Sequence, residues 1–147
     1  MPQPRLSVRA LILEDDRLLV VNAYPGETSD LWCAPGGGVE AHASLPDNLI
    51  REVREETGLT IDVGAPAFVN EFHDPDGAFH QVEVFFRARV ADGALDDGWT
   101  DPEGVVNRRR FVTRDELAGL RHKPDSLADH AWGTGAIAYD PLERLVR

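Results

Sequence analysis

Glu52, Glu55 and Glu56 stand at i, i+3 and i+4 within the run Arg51-Glu52-Val53-Arg54-Glu55-Glu56-Thr57-Gly58-Leu59. On a helix those positions share one side. Three like charges side by side destabilise a helix, and a bound divalent cation that prefers oxygen ligands, Mg²⁺ or Mn²⁺, relieves the repulsion. The run is reached from Gly36-Gly37-Gly38-Val39 by one short loop. A cation held by a helix beside a glycine-rich turn points to chemistry on a phosphate.

The helix itself is well signposted. Ser44 is a good N-cap, with Asp47 three residues on as a partner resembling a capping box. Pro46 falls in the first turn, where its missing N–H does no harm. Gly58 tolerates the positive φ of a C-cap. These marks predict a helix from about Leu45 to Thr57. Leu45, Leu49, Val53 and Thr57, with Ile50 beside them, form its core-facing stripe. A wheel count puts Glu56 nearest that stripe, then Glu52, then Glu55. Partial burial raises the cost of their unneutralised charges.

Strands surround this helix. From Arg5 to Leu13, Leu6, Val8, Ala10 and Ile12 alternate with Arg5, Ser7 and Arg9, which predicts a half-buried strand. Arg17 to Asn22 returns as a second strand after the Glu14-Asp15-Asp16 turn. A short strand from Leu31 to Ala34 runs into the glycines. Two more are expected near Ala67 to Phe72 and Gln81 to Ala91, joined by the turn Asp74-Pro75-Asp76-Gly77. Val105 to Val112 reads as a further strand. Thr113 caps a helix from Arg114 to Leu120, with Glu116 completing a capping box. A last short helix is expected around Asp125 to Ala131. Strands with one dominant helix and lesser ones give a mixed α/β layered domain.

The 147 residues are expected to form a single domain, residues 1–147, with a core of its own. The net charge of −11 argues against a nucleic-acid polymer as partner and leaves open a small phosphorylated substrate bridged by a cation. No stretch approaches the ~20 apolar residues of a membrane span. Met1 to Arg9 lacks a signal-peptide core, and the lone Cys33 fits a reducing compartment, so a cytoplasmic location is expected. Cys33 itself reads as a small buried apolar residue.

Pro35-Gly36-Gly37-Gly38-Val39-Glu40 and the helix ending at Leu59 together resemble the Nudix box. That box runs Gly, five residues, Glu, seven residues, then Arg-Glu-apolar-x-Glu-Glu-x-Gly-apolar, and Gly37 takes its first position. The strand order around the box fits as well, from Ser7 to Leu120. The resemblance implies an α/β/α sandwich with a mixed sheet. It also implies Mg²⁺-dependent (or Mn²⁺-dependent) hydrolysis of a nucleoside diphosphate linked to another group. Carried over position by position, Glu52, Glu55 and Glu56 become metal ligands and the carbonyl of Gly36 a further one. Arg51 becomes the ion-pairing residue that holds the carboxylates. Family members are often homodimers.

The chain departs from the box at two positions. Its first Glu falls on Ala43, and the Gly usually before it falls on His42. In the family the missing Glu orders the loop and pairs with the box Arg. Glu40 is a possible substitute, and His42 is either a contact to substrate or metal or a solvated turn residue. Many members use a further Glu from a downstream loop as general base. Glu103, in Asp101-Pro102-Glu103-Gly104, is the best candidate, with Glu83 second; Glu83 equally reads as one half of a cross-strand ion pair with an arginine.

Substrate contacts are sought among arginines on the polar strand faces: Arg9 and Arg87 first, with Arg5 and Arg89 beside them. Arg108-Arg109-Arg110 is the one basic run, with surface ion pairing as its plainer role. Tyr24, Trp32, Phe72 and Phe85 are candidates to stack a base or to pack in the core. The substrate classes left open are nucleoside triphosphates, nucleotide sugars such as ADP-ribose, and dinucleoside polyphosphates, with a slight lean to the first from the shortness of the chain. Two rivals remain: a Nudix-fold nucleotide-binding module impaired in catalysis, and a structural protein with an acidic helix face.

Overall fold

The computed structural model describes residues 3–147. The elements are β1 (Arg5–Glu14), β2 (Arg17–Asn22), β3 (Trp32–Cys33), β4 (Gly36–Gly38), α1 (Leu45–Thr57), β5 (Thr60–His73), β6 (His80–Asp92), β7 (Arg109–Val112), α2 (Arg114–Ala118), α3 (Leu127–Ala131), β8 (Ala138–Tyr139) and β9 (Glu143–Arg144). They build one mixed sheet in the order β3-β2-β1-β6-β5-β8, with β4 on β1, β7 on β2 and β9 on β5. β1 and β6 are parallel, in register from Arg5 opposite Gln81 to Ile12 opposite Ala88.

Helices cover both faces of this sheet, which gives the expected α/β/α layering. α1 lies on one face, its Leu49 and Val53 packed with Val8, Ala10, Ile12 and Phe86. On the other face Leu117 of α2 and Leu127 and Ala131 of α3 pack with Leu11, Leu18, Phe68 and Phe85. This arrangement corrects the half-buried reading of β1. A strand roofed on both sides buries both faces, so Ser7 and Leu11 are buried along with Val8, Ala10 and Ile12, whereas Leu6, at the strand's start, is exposed.

Four other expectations need correction. The glycines Gly36–Gly38 form a strand, antiparallel to Ser7–Arg9 of β1, rather than a turn. β5 begins at Thr60, well before Ala67, and carries register shifts around Pro66 that absorb the residues a regular ladder would reject. β7 starts only at Arg109, because Val105–Arg108 is held by side chains instead of a ladder. Asp101 Oδ2 accepts from the Val105 and Val106 N–H groups at 3.2 and 2.9 Å, and Asn22 Oδ1 from those of Asn107 and Arg108 at 3.0 and 2.9 Å. α2 and α3 are each shorter than expected, although the Thr113–Glu116 capping box forms in full.

A Ser126–Asp140–His130 cluster ties α3 to the chain after β8. Ser126 Oγ donates to Asp140 Oδ2 at 2.5 Å, and His130 Nε2 lies 3.1 Å from Asp140 Oδ1. The aspartate stands between the serine and the histidine, so the imidazole is not aimed at the hydroxyl, and the arrangement lacks the serine–histidine contact of a triad.

Candidate active site

α1 has the predicted bounds because its end signals are local. Ser44 Oγ accepts the Asp47 N–H at 3.1 Å, and Gly58, at φ 77°, donates its N–H to Arg54 O at 2.9 Å. Its face follows the wheel count: Glu52 and Glu56 are buried and Glu55 is half-buried. The helix docks against β4 because glycine lets backbone and carboxylate meet. The Gly36 N–H donates to Glu56 Oε2 at 3.1 Å. A Cβ on Gly37 would stand 2.5 Å from Glu52 Oε2. The same backbone approach therefore positions two of the three glutamates.

Burial sets the electrostatics. It pushes the Glu56 carboxyl up to about 8, against the pull of the Arg9 charge and the Gly36 N–H. Burial also raises Glu52; Arg51 opposes this, while Glu55 and Glu103 add to it. Arg51 Nη1 lies 3.1 Å from Glu52 Oε1 and 3.5 Å from Glu55 Oε1. Glu55 Oε2 is buried with no hydrogen-bond partner among the described residues. Among the described residues no three His, Cys, Asp or Glu side chains are already drawn into a coordinating group. The oxygens on offer are nevertheless of the right kind. Hard carboxylate oxygens, one of them orphaned, are the donors that an oxygen-preferring divalent cation takes up.

Three residues here have roles that the sequence reading did not assign, although Asp101 and Arg109 were named in it. Asn48, 1% exposed, knits the loop before α1. Its Oδ1 accepts from the Glu40 N–H at 2.9 Å and from Arg51 Nη2 at 3.1 Å, while its Nδ2 donates to Ala43 O and Ser44 O at 3.2 and 2.9 Å. Asp101 is buried and organises the turn that presents Glu103, whose N–H it accepts at 2.9 Å. Arg109 Nε donates to the Glu56 carbonyl and its Nη2 to Val106 O at 3.0 Å, which joins the end of α1 to that same loop. A buried polar residue leaves no periodic signal. Asn48 was nonetheless open to suspicion as an amide four residues before Glu52 and seven before Glu55, on their side of the predicted helix.

Gly36, Gly37, Glu52, Glu56, Asp101 and Glu103 line one cleft of about 210 Å³. Arg9 reaches it as well. Its Nε donates to Glu83 Oε2 at 2.6 Å and its Nη1 to Ala34 O at 3.1 Å. Burial works against the Arg9 charge, but Glu83, Cys33 and Glu56 together hold it firmly protonated. Glu83 is thus the partner of an arginine, as one of its two readings had it. Cys33 is half-buried, and burial pushes its thiol up to about 11.

Not every arginine comes to the cleft. Arg87 is turned away from it, donating to His130 O at 3.0 Å, because β6 carries it under α3. Arg89 pairs with Asp62 at 3.2 Å on the surface. Arg108 donates to Ser29 O at 2.8 Å and Arg110 to Glu116 at 3.2 Å. Arg5 does line the cleft. Glu40 is exposed and only 3.9 Å from Arg51, a weaker hold than that of Asn48. His42 is exposed at φ 72°. Of the aromatics, Tyr24, Phe72 and Phe85 line a second pocket of about 280 Å³, which shares Arg5, Arg9, Ala23 and Cys33 with the cleft. Trp32 instead packs against the core beneath Arg108 and Arg110. Among the described residues no helix is long and apolar enough to cross a membrane.

Residues 3–131 match the family model described as NUDIX domain. A Bacillus subtilis protein named as a provisional ADP-ribose pyrophosphatase is 28% identical over 133 residues, covering 86% of this chain and 60% of its own. The ADP-ribose pyrophosphatase of Methanocaldococcus jannaschii is 28% identical over 95 residues, 65% of this chain and 56% of its own. The chain therefore spans less than two thirds, 60% and 56%, of the length of these two curated relatives. Mouse diphosphoinositol polyphosphate phosphohydrolase 3-alpha is 32% identical over 76% of this chain and 64% of its own. Among solved structures, a UDP-X diphosphatase superposes with TM-score 0.72 at 22% identity, covering 95% of this chain and 68% of that one. An ADP-ribose pyrophosphatase from Streptococcus suis superposes with TM-score 0.68 at 22% identity, over 94% of this chain and all of that one. These two likenesses are likenesses of fold.

Proposed function

The chain belongs to the NUDIX domain family, and on that premise we propose that it is a pyrophosphohydrolase. In this reading it is dependent on Mg²⁺ or Mn²⁺ and cleaves a nucleoside diphosphate linked to another group. Water attacks one phosphorus, the P–O–P anhydride breaks, and a nucleoside monophosphate and the phosphorylated second group leave. The observation that carries this reading is the meeting of α1 and β4: Gly36 and Gly37 bring Glu56 and Glu52 together, while Glu55 keeps an orphaned buried oxygen beside them. Glu52, Glu55, Glu56 and the carbonyl of Gly36 would hold the cation. The chemistry a bound cation supplies there is charge neutralisation of the pyrophosphate and a lowered pKa for the attacking water.

The chain's own residues do the rest. Arg51 holds Glu52 and Glu55 in place by ion pairing. Glu103, exposed on the cleft wall, takes the proton of the attacking water. Arg9, charged and fixed by Glu83, meets a phosphate oxygen. Among substrates the names of the bacterial and archaeal relatives favour ADP-ribose, with UDP-linked compounds next, over the nucleoside triphosphates that chain length alone had favoured. A coupled phosphatase assay over ADP-ribose, UDP-sugars, nucleoside triphosphates and dinucleoside polyphosphates, with each cation, tests it. Turnover of a nucleotide sugar supports the reading, and no turnover of any member of the panel refutes it.

A further inference from the structure

The last turn of α1 ends in carbonyls that have no partner inside the helix. Arg54 O is taken by the Gly58 N–H. The next two carbonyls belong to Glu55 and Glu56, and side chains from far along the chain take both. Trp99 Nε1 donates to Glu55 O at 2.8 Å, and Arg109 Nε donates to Glu56 O. These donors stand at the two ends of one segment, residues 99–109, and Glu103 lies between them. The segment that carries the base of the proposed reaction is thus fastened twice to the backbone of two glutamates assigned to the cation.

Both fastenings are themselves held. The Trp99 indole lies against Gly58, where a Cβ would stand 2.8 Å from its Cε3, and the Arg54 guanidinium carbon lies 5.1 Å from its ring centroid. Gly58 therefore serves twice, as the αL end of the helix and as the seat of the indole. Arg109 Nη2 donates to Val106 O at 3.0 Å, so one guanidinium spans helix and loop. Within the segment, Asp101 accepts the N–H groups of Glu103, Val105 and Val106. The Asn22 amide holds Val105 O and the N–H groups of Asn107 and Arg108. Water satisfies the carbonyls of an exposed helix end equally well. Donors drawn from one particular loop add something water does not, a fixed distance between that loop and the helix.

We propose that Trp99 and Arg109 are positioning residues, whose bonds to Glu55 O and Glu56 O set the reach of Glu103 to the attacking water. The inference rests on the hydrolase reading of the cleft and deepens it, by naming the residues that register the base against the cation ligands. A displacement of about 1 Å at a reacting group costs on the order of 10²-fold in rate, so a base on an exposed loop gains from two such bonds.

The experiment is a double-mutant cycle in steady-state kinetics, on the whole chain in saturating Mg²⁺, with the panel member turned over fastest. Trp99→Phe keeps a ring against Gly58 and removes the indole N–H; Arg109→Met keeps the stem and removes both donors. Each is measured alone and combined with Glu103→Gln, well below every melting temperature. Alone, each should lower kcat by roughly tenfold or more and leave KM and the Mg²⁺ requirement nearly unchanged. In the Glu103→Gln background the same substitutions should lower kcat by less than about twofold, because a base that is absent cannot be misplaced. Equal losses in both backgrounds overturn the inference, since a merely structural role gives that result. Unchanged kcat in the single variants overturns it too, as does a loss confined to KM or to the Mg²⁺ requirement, or a Glu103→Gln rate equal to the wild type. If Arg109→Met does not fold, Trp99→Phe decides alone. A wild type that turns over no member of the panel removes the hydrolase reading and this inference with it, whereas wild-type turnover with equal losses in both backgrounds removes this inference and leaves the hydrolase standing.

Discussion

Asn48 Oδ1 accepts a hydrogen bond from Arg51 Nη2 at 3.1 Å, and the same oxygen accepts the Glu40 N–H at 2.9 Å. A neutral amide thus ties the loop to the arginine at the place where the family's box has a glutamate and this chain has Ala43. Asn48→Ala is expected to lower stability by about 2 kcal/mol, since it removes a buried amide that holds the Glu40 N–H and the Ala43 and Ser44 carbonyls. It should also raise the cation concentration needed for half-maximal turnover. Ala43→Glu is expected to be tolerated, and in the Asn48→Ala background to restore part of the cation affinity by giving Arg51 a carboxylate. A double variant no better than Asn48→Ala alone would show that the two positions do not share a task.

Gly37 is a glycine for the sake of Glu52. The nearest atoms to a Cβ there are all in the Glu52 carboxylate, the end of a flexible side chain. Gly37→Ala should therefore leave the fold intact and displace Glu52, giving a small change in melting temperature with a large loss of turnover. Gly36 is different, because a Cβ there would strike the Val8 carbonyl, which is backbone. Gly36→Ala should destabilise the fold itself. Equal effects of the two substitutions on stability would contradict this division.

The helix was legible almost to the residue because its signals lie within it: the Ser44 cap, Pro46 in the first turn, Gly58 at the end. That Glu52 and Glu56 are more buried than Glu55 followed from spacing alone. Other features depend on partners far away in sequence. β4 is three glycines, which carry no alternation, and it exists because β1 offers it a ladder. The first half of β5 contains Gly64 and Pro66, which read as breakers but sit where the ladder to β6 shifts register. β8 and β9 are two residues each, too short to leave a pattern. At the site, Asn48, Asp101 and Arg109 act on backbone groups of other segments, and no local pattern announces such work. Arg87 was misplaced because a polar strand face was taken as one environment; its lower end faces the pocket and its upper end faces α3.

The cation-free protein should carry a pH signature. Burial holds the Glu56 carboxyl at about 8, above its ordinary 4.5, with Arg9 and the Gly36 N–H facing it in opposition and Glu52 and Asp101 adding to the rise. A carboxyl raised in the folded state contributes stability that is fully present below its unfolded pKa and is lost as pH climbs through the folded value. In chelator, the melting temperature should therefore fall between about pH 5 and pH 9. Glu56→Gln should flatten part of that fall, leaving the share that belongs to Glu52. Superimposable pH profiles for the two proteins would remove Glu56 as the source.

Glu103 is exposed on the cleft wall, with its backbone fixed by Asp101. Glu103→Gln should slow turnover by about 10²-fold or more, the scale of losing a general base, without changing the melting temperature. Asp101→Asn should instead cost stability, because Asp101 accepts three backbone N–H groups. An unchanged rate in Glu103→Gln would clear it of any part in the reaction.

The most direct test is a Mg²⁺ and Mn²⁺ titration of wild type and Glu56→Gln, following melting temperature and ADP-ribose turnover in the same samples. The cation should stabilise the wild type by about 2.7 kcal/mol at a hundredfold excess over Kd, seen as a higher melting temperature, and should switch on turnover over the same concentration range. In Glu56→Gln both responses should shrink, with turnover down at least ~100-fold. Turnover that persists in chelator, or in Glu56→Gln at the wild-type rate, would contradict the claim that the glutamates of α1 hold the catalytic cation.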